Sequence, residues 1–327
     1  MKRRDILAMA GGAVTATGAW RAVVAQPAPI PRIGFLGSNE ASPEIVEPFL
    51  AGLAEGGFQP GRNVAVEYRW AANRLDRLPE LMTDLMRRPL AVVVTSGGVP
   101  AARAAIAAAS DVPVVFEVGR DPVQSGLVAS LGRPGGNATG VHMFTADLNA
   151  KRFELLREMV PRATSIAVLI NPDNVGAHGV ENVVRRAAAA AGVKSQVLRA
   201  ANEREIDAAF AALAASPDSA LIVGNDAFFN SRRAQLVAAT TRLALPAIFE
   251  WRAFAIAGGL MSYGTDFAAV WRQVGAYTAR VLKGDKPAEL PIVQPTRFEL
   301  VINRKTAKAL GLAIPQSLLL RADEVIE

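Results

Sequence analysis

The chain has no cysteine, which excludes disulfides, thiolate metal sites, iron–sulfur clusters and cysteine nucleophiles. Histidine is scarce as well: His142 and His178 are the two present, in no H-E-x-x-H or related spacing. Histidine-based acid–base catalysis and zinc chemistry have little to work with on that count. No G-x-S-x-G turn and no G-x-x-x-x-G-K-[ST] loop occurs, so neither a serine-hydrolase elbow nor an ATP-binding P-loop is encoded. What is present is ordinary for a globular chain with large cores: 327 residues, 51% hydrophobic and 20% charged. That length suggests two domains, and that composition rules out a disordered or collagen-like chain.

A net charge of +6 looks basic, but Lys2, Arg3, Arg4 and Arg21 against Asp5 account for half of it. The remainder holds no basic cluster and no aromatic–basic stripe, so no nucleic-acid partner is indicated, since binding by counterion release needs concentrated positive charge. Residues 1–26 read as an address. Lys2, Arg3 and Arg4 precede a weakly apolar stretch from Ile6 to Ala19, and Val23-Val24-Ala25 offers small residues for cleavage near Ala25. Arg3-Arg4-Asp5-Ile6-Leu7 resembles the twin-arginine signature; an ordinary secretory signal that carries two arginines reads the same segment equally well. The apolar run is too short for the roughly 20 residues of a membrane span, so the expectation is a soluble mature protein outside the cytoplasm.

From Ile33 onward apolar strands alternate with helical patterns. Ile33–Leu36, Ala91–Thr95 and Val114–Val118 read as buried strands, with helices after Ser42-Pro43 and after Ser96-Gly97-Gly98. The pattern restarts near residue 145, with strands expected at Ile166–Ile170, Lys194–Leu198, Ala220–Val223 and Ala247–Glu250 and one helix over Phe229–Leu243. Such alternation predicts α/β units with parallel sheets covered on both faces.

Several longer motifs resemble one family: Asp121-Pro122-Val123 running to Gly135-Gly136-Asn137-Ala138-Thr139-Gly140, then Gly258-Gly259-Leu260-Met261-Ser262-Tyr263-Gly264, then Pro295-Thr296-Arg297-Phe298-Glu299-Leu300. Residues 31–327 resemble the periplasmic solute-binding proteins of ABC importers, in the branch with tryptophan- and tyrosine-binding members. The resemblance implies a type I periplasmic-binding fold of two Rossmann-like lobes joined by a three-strand hinge. It places 31–143 and 260–287 in lobe 1, and 144–259 and 288–327 in lobe 2, with hinge strands near Gly140–Thr145, Gly258–Ser262 and Pro291–Thr296. It further implies a monomer without cofactor that captures a small organic ligand, such as an aromatic or amino acid or another carboxylate. Delivery would be to an ABC permease driven by separate ATPase subunits. A sensing adaptor for a membrane receptor and, more remotely, a secreted α/β enzyme are the alternatives.

In parallel sheets ligands sit beyond the carboxyl ends of the strands. The loops expected there carry Ser38, Asn39, Glu40, Ser42, Ser96, Gly97, Arg120, Asp121, Tyr263 and Thr265 from lobe 1, and Asn171, Asp173, Asn225, Asp226, Glu250 and Trp251 from lobe 2. Ser96-Gly97-Gly98 opens a helix and suits a carboxylate. Ser42 reads first as a helix cap, and Asp121 as a cap or a ligand contact. Arg120 stands where the family usually has a small residue; it either grips a carboxylate or faces solvent. Asp226 could accept an ammonium, and Trp251 and Tyr263 could stack on a flat solute. Glu40, Glu117, Asp121, Asp173, Asp226 and Glu250, spread over both lobes, read as hydrogen-bond acceptors rather than as the paired carboxylates of a glycoside hydrolase.

Overall fold

Valine- and isoleucine-rich runs assemble into two sheets in this computed structural model, which describes residues 30–143, 148–216 and 218–327. The leader expected over 1–26 and the hinge residue Thr145 lie outside the described residues. The first sheet takes β1 (Arg32–Gly37), β2 (Ala65–Trp70), β3 (Val92–Ser96), β4 (Val114–Val118) and β5 (Ala138–His142). Their order is β2-β1-β3-β4-β5, with every pairing parallel. Parallel neighbours need crossovers. The helices between these strands are α1 (Pro43–Glu55), α2 (Leu78–Leu85) and α3 (Val99–Ala108). Ile45, Phe49 and Leu53 of α1 bury against Ile33, Phe35, Val92, Val94 and Val115 on one face. Leu81, Met82, Ala101 and Ala105 of α2 and α3 cover Leu36, Val93 and Phe116 on the other.

The second lobe holds α4 (Asn149–Met159), β6 (Ser165–Ile170), α5 (Ala177–Ala190), β7 (Lys194–Arg199), α6 (Glu203–Leu213), β8 (Ser219–Val223), α7 (Ala227–Ser231), α8 (Arg233–Arg242), β9 (Ala247–Phe249), α9 (Arg252–Ile256) and β10 (Met261–Thr265). The chain then returns to the first lobe as α10 (Phe267–Leu282), capped by Asp266, whose carboxylate accepts from the Ala269 N–H at 2.9 Å. It ends in the second lobe with β11 (Phe298–Asn303), α11 (Arg304–Ala309), α12 (Gln316–Arg321) and β12 (Glu324–Ile326). The second sheet runs β12-β11-β10-β9-β8-β6-β7, parallel except for the antiparallel pair β10–β11.

Two boundaries differ from expectation. Residues 260–287 do not all belong to the first lobe. β10 pairs with β9 and β11, and Leu260 and Met261 are buried in the second core, so the crossing comes at Thr265–Asp266 rather than over Gly258–Ser262. Nor does the second lobe resume at 288, because Ile292 N–H donates to Leu131 O at 2.8 Å and Val293 N–H to Gly140 O at 2.9 Å, extending the edge of the first sheet. The crossings lie side by side, since Thr265 Oγ1 donates to Met143 O at 2.8 Å. The helix expected over Phe229–Leu243 is broken at Arg232 into α7 and α8.

Candidate ligand-binding cleft

Both sheets direct the carboxyl ends of their strands at one cavity. β1, β3 and β4 deliver Ser38, Gly97 and Glu117 from one side, while β6, β8 and β9 deliver Asn171, Asp226 and Glu250 from the other. The space opens to solvent between the two lobes, and polar strand ends and aromatic side chains converge on it, as they do in small-molecule sites. Trp251 and Phe228 from the second lobe and Phe267 and Trp271 from α10 form its apolar walls. Trp251 packs on Phe267 with ring centroids 4.8 Å apart, so the aromatic surface is continuous across the lobes.

The first-lobe wall is built by local chain geometry. Ser38 N–H donates to Ser96 O, while Ala72 and Asn73 N–H groups donate to Asn39 O and Ser38 O. Ala72 and Asn73 take left-handed φ values of 52° and 63° to do so, at a cost of roughly 1–2 kcal/mol for a residue with a Cβ. Gly97, at φ 86°, sits so close that a Cβ there would stand 2.5 Å from Ser38 Cβ and 2.6 Å from Asn39 Oδ1. Ser38 Oγ and Asn39 Oδ1 are buried without a hydrogen-bond partner. Gly97 N–H donates to Glu117 Oε2 at 3.4 Å.

Of the residues expected at the site, Ser38, Gly97, Arg120, Asn171, Asp173, Asn225, Asp226 and Trp251 line the cavity. Glu40, Ser42, Ser96, Asp121 and Tyr263 do not. Ser96 is buried under Gly97, and Ser42 precedes α1 without a side-chain capping bond. Asp121 accepts from the Val123 and Gln124 N–H groups at 2.8 and 3.2 Å, which closes a turn rather than capping a helix. Tyr263 lies in the second sheet, not in lobe 1, where its ring packs on Phe298. Asn39 and Glu250, expected on the same loops, line the space too, whereas Thr265 does not; Glu117, Phe267 and Trp271 join them without having been placed there from the sequence. A glutamate inside the apolar strand Val114–Val118 was the signal for Glu117.

Electrostatically the cavity is acidic. Burial pushes the Glu117 carboxyl up to about 8, opposed by the Gly97 N–H and helped by the charge of Glu250. Burial also raises Asp226, although Asn174, Asn171 and the Phe228 and Phe229 N–H groups all donate to it. Behind Glu250 lies the fully buried Arg152 of α4, which donates from Nε to Tyr263 O at 2.8 Å and from Nη1 to Asn149 Oδ1 at 3.1 Å. Burial lowers its guanidinium, against the charge of Glu250.

Around the mouth the lobes touch. Arg233 makes a two-pronged ion pair with Glu44 at 2.9 and 3.1 Å, Arg232 sits 3.8 Å from Glu40, and Asn73 Nδ2 donates to Ser231 Oγ at 3.3 Å. The stem of Arg120 lies against Gly176 of the opposite lobe. Partly exposed pairs of this kind contribute about 0.2–1 kcal/mol each, enough to tilt a balance between open and closed lobes several-fold. Arg233→Glu replaces the attraction with repulsion, so small-angle scattering of the ligand-free protein should show a larger radius of gyration than the parent. An unchanged profile would mean that these pairs do not set the lobe separation.

The tyrosine-binding protein of Clostridioides difficile (strain R20291) is 25% identical over 268 residues, covering 81% of this chain and 75% of that protein. A conserved domain protein from Vibrio cholerae superposes with a TM-score of 0.82 at 25% identity, covering 90% of this chain and 99% of that chain. An ABC domain from Streptococcus pneumonia in complex with L-Trp superposes at 0.80 with 27% identity and the same coverage. The fold is therefore that of the type I periplasmic-binding proteins, two mostly parallel α/β sheets facing one cleft. The family described as ABC transporter substrate binding protein matches residues 35–326, which takes in both sheets and all three crossings, and this chain belongs to that family.

Proposed function

We propose that the chain captures a small aromatic, amino-acid-like solute between its lobes outside the cytoplasm and presents the closed form to an ABC permease, without transforming it. The observation that carries this reading is the cavity shared by both lobes, with indole and phenyl walls from Trp251, Phe267 and Trp271 and polar groups at the strand ends. A relative named for tyrosine binding and a neighbour in complex with L-Trp support the same solute class. Gly98 and Val99 open α3, and Arg120 reaches along the facing lobe; these are the positive features of the cavity and suit a carboxylate. A solute touching both lobes favours the closed state by its differential contacts, and the permease then reads the closed surface.

Mass spectrometry of solute released from the purified protein, followed by thermal shift with aromatic amino acids, tests the proposal. A true ligand at a hundredfold excess over Kd stabilises by about 2.7 kcal/mol. Trp251→Ala should weaken that ligand about tenfold or more; undiminished binding would place the solute elsewhere. Export is tested by fractionation with N-terminal sequencing, where a chain starting near Gln26 is expected and an uncleaved chain in the membrane pellet would overturn it.

A further inference from the structure

Resting on that reading of the cleft, we propose that Glu117 is the acceptor for a protonated amine of the solute, with Asn39 and Ser38 beside it and Glu250 facing it from the other lobe, so that the solute is an ammonium compound. The geometry distinguishes Glu117 from the other acids. Asp226, the obvious acceptor by position, already receives four hydrogen bonds from its own lobe, which occupy it as the cap of α7. Glu117, 4% exposed, receives one long hydrogen bond among the described residues, from Gly97. Around that same Gly97 stand two further buried oxygens without partners, Asn39 Oδ1 and Ser38 Oγ. An ammonium carries three donors and no acceptor. A carboxylate, an amide oxygen and a hydroxyl clustered at one glycine supply the complementary set.

Charged groups facing Glu117 fit this assignment. Glu250 at the end of β9 adds negative charge, with Arg152 behind it on α4; Asp226 lies at α7, and Arg120 and Asp173 belong to the rim. From α10 the neighbouring surface is the Trp271 indole, and from β5 the paired residue is Val141. No cation among the described residues is hydrogen-bonded to Glu117, so a bound ammonium would be its counter-charge. Because burial holds the empty carboxyl protonated near neutral pH, capture of an ammonium should expel that proton.

The test is calorimetric titration of the processed chain at pH 7 in two buffers of different ionisation enthalpy. The probes are L-tryptophan and L-tyrosine, their deaminated counterparts indole-3-propionate and 3-(4-hydroxyphenyl)propionate, and the same pairing for the remaining amino acids. The amine of a pair should bind on the order of ten- to hundredfold tighter than its deaminated partner and release close to one proton. Glu117→Gln should weaken the amine by a similar factor, spare the deaminated acid and abolish the proton release. Glu250→Gln should weaken the amine less. A deaminated acid that binds as tightly as its amine overturns the proposal while leaving the solute site standing, and needs no variant to show it. Equal affinity of parent and Glu117→Gln for the amine overturns it too. Binding of neither class across the panel overturns both readings together.

Discussion

Raising the pH from 5 to 9 should cost the ligand-free protein several kcal/mol of stability, and Glu117→Gln should remove the share of that loss that this carboxyl carries. The carboxyl titrates near 4.5 when the chain is unfolded and is pushed up to about 8 in the folded chain, burial being the main cause. Between those values the native state keeps a proton that the unfolded state has released, so stability falls as pH rises. The loss begins near pH 4.5 and is complete above about 8. At about 1.36 kcal/mol per pH unit, the gap caps it at about 5 kcal/mol. Opening of the lobes rehydrates the carboxyl, so a smaller loss accompanied by expansion is the softer form of the same effect. Glutamine keeps the shape and cannot ionise. Asp226, also raised by burial, contributes equally to parent and variant and cancels in the comparison. Urea unfolding at pH 5 and pH 9 on both proteins checks the effect. Parallel pH profiles would show that Glu117 is not held in a dry cavity.

The strands that were plain in the sequence are those whose apolar runs are continuous, because a parallel strand buried on both faces shows its whole length as valine and isoleucine. Val92–Val94 and Ile166–Ile170 are of this kind. β5 carries Ala-Thr-Gly-Val-His and shows no such run. Its glycine is needed there because a Cβ on Gly140 would collide with the carbonyl oxygen of Phe116 on β4, so a residue poor in β-propensity stands inside a strand for a reason that lies in its neighbour. β10 falls in the stretch that the resemblance assigns to lobe 1, yet it is a member of the second sheet. The helix that follows it, α10, packs on α1 in the first lobe, and nothing local in Met261–Thr265 records on which side of the crossing its partners lie.

The cleft divides along similar lines. Loops at strand ends could be placed from the α/β pattern, which is how Ser38, Gly97, Asn171, Asp226 and Trp251 come to line the cavity. Side-chain direction within those loops could not. Ser96 and Gly97 are adjacent, yet one is buried away from the space and the other forms its wall. Trp271 was hidden for a different reason. Its spacing with Phe267, Val270 and Val274 marks the apolar face of a helix, and the same face serves both as core and as cavity wall.

That double service makes Trp271 the position where a single substitution should do the most damage. Its side chain is fully buried, packs on Phe35 and Phe267 with ring centroids 5.9 and 6.3 Å away, and presents an indole Nε1 that is buried without a partner. Trp271→Ala removes the ring from the α10 face of the first core, and truncations of this size cost about 3–5 kcal/mol. The first lobe should therefore unfold at markedly lower denaturant, and a loss under about 1 kcal/mol would show that the cavity lets the site collapse or fill with water cheaply. Trp271→Phe separates the two roles. It keeps most of the packing and deletes an unsatisfied donor whose burial costs about 1–3 kcal/mol, so the ligand-free variant should be close to the parent in stability. If the indole N–H donates to the bound solute, the same variant should bind on the order of tenfold more weakly. A phenylalanine variant with parental affinity would confine Trp271 to packing, leaving Trp251 as the indole that meets the ligand.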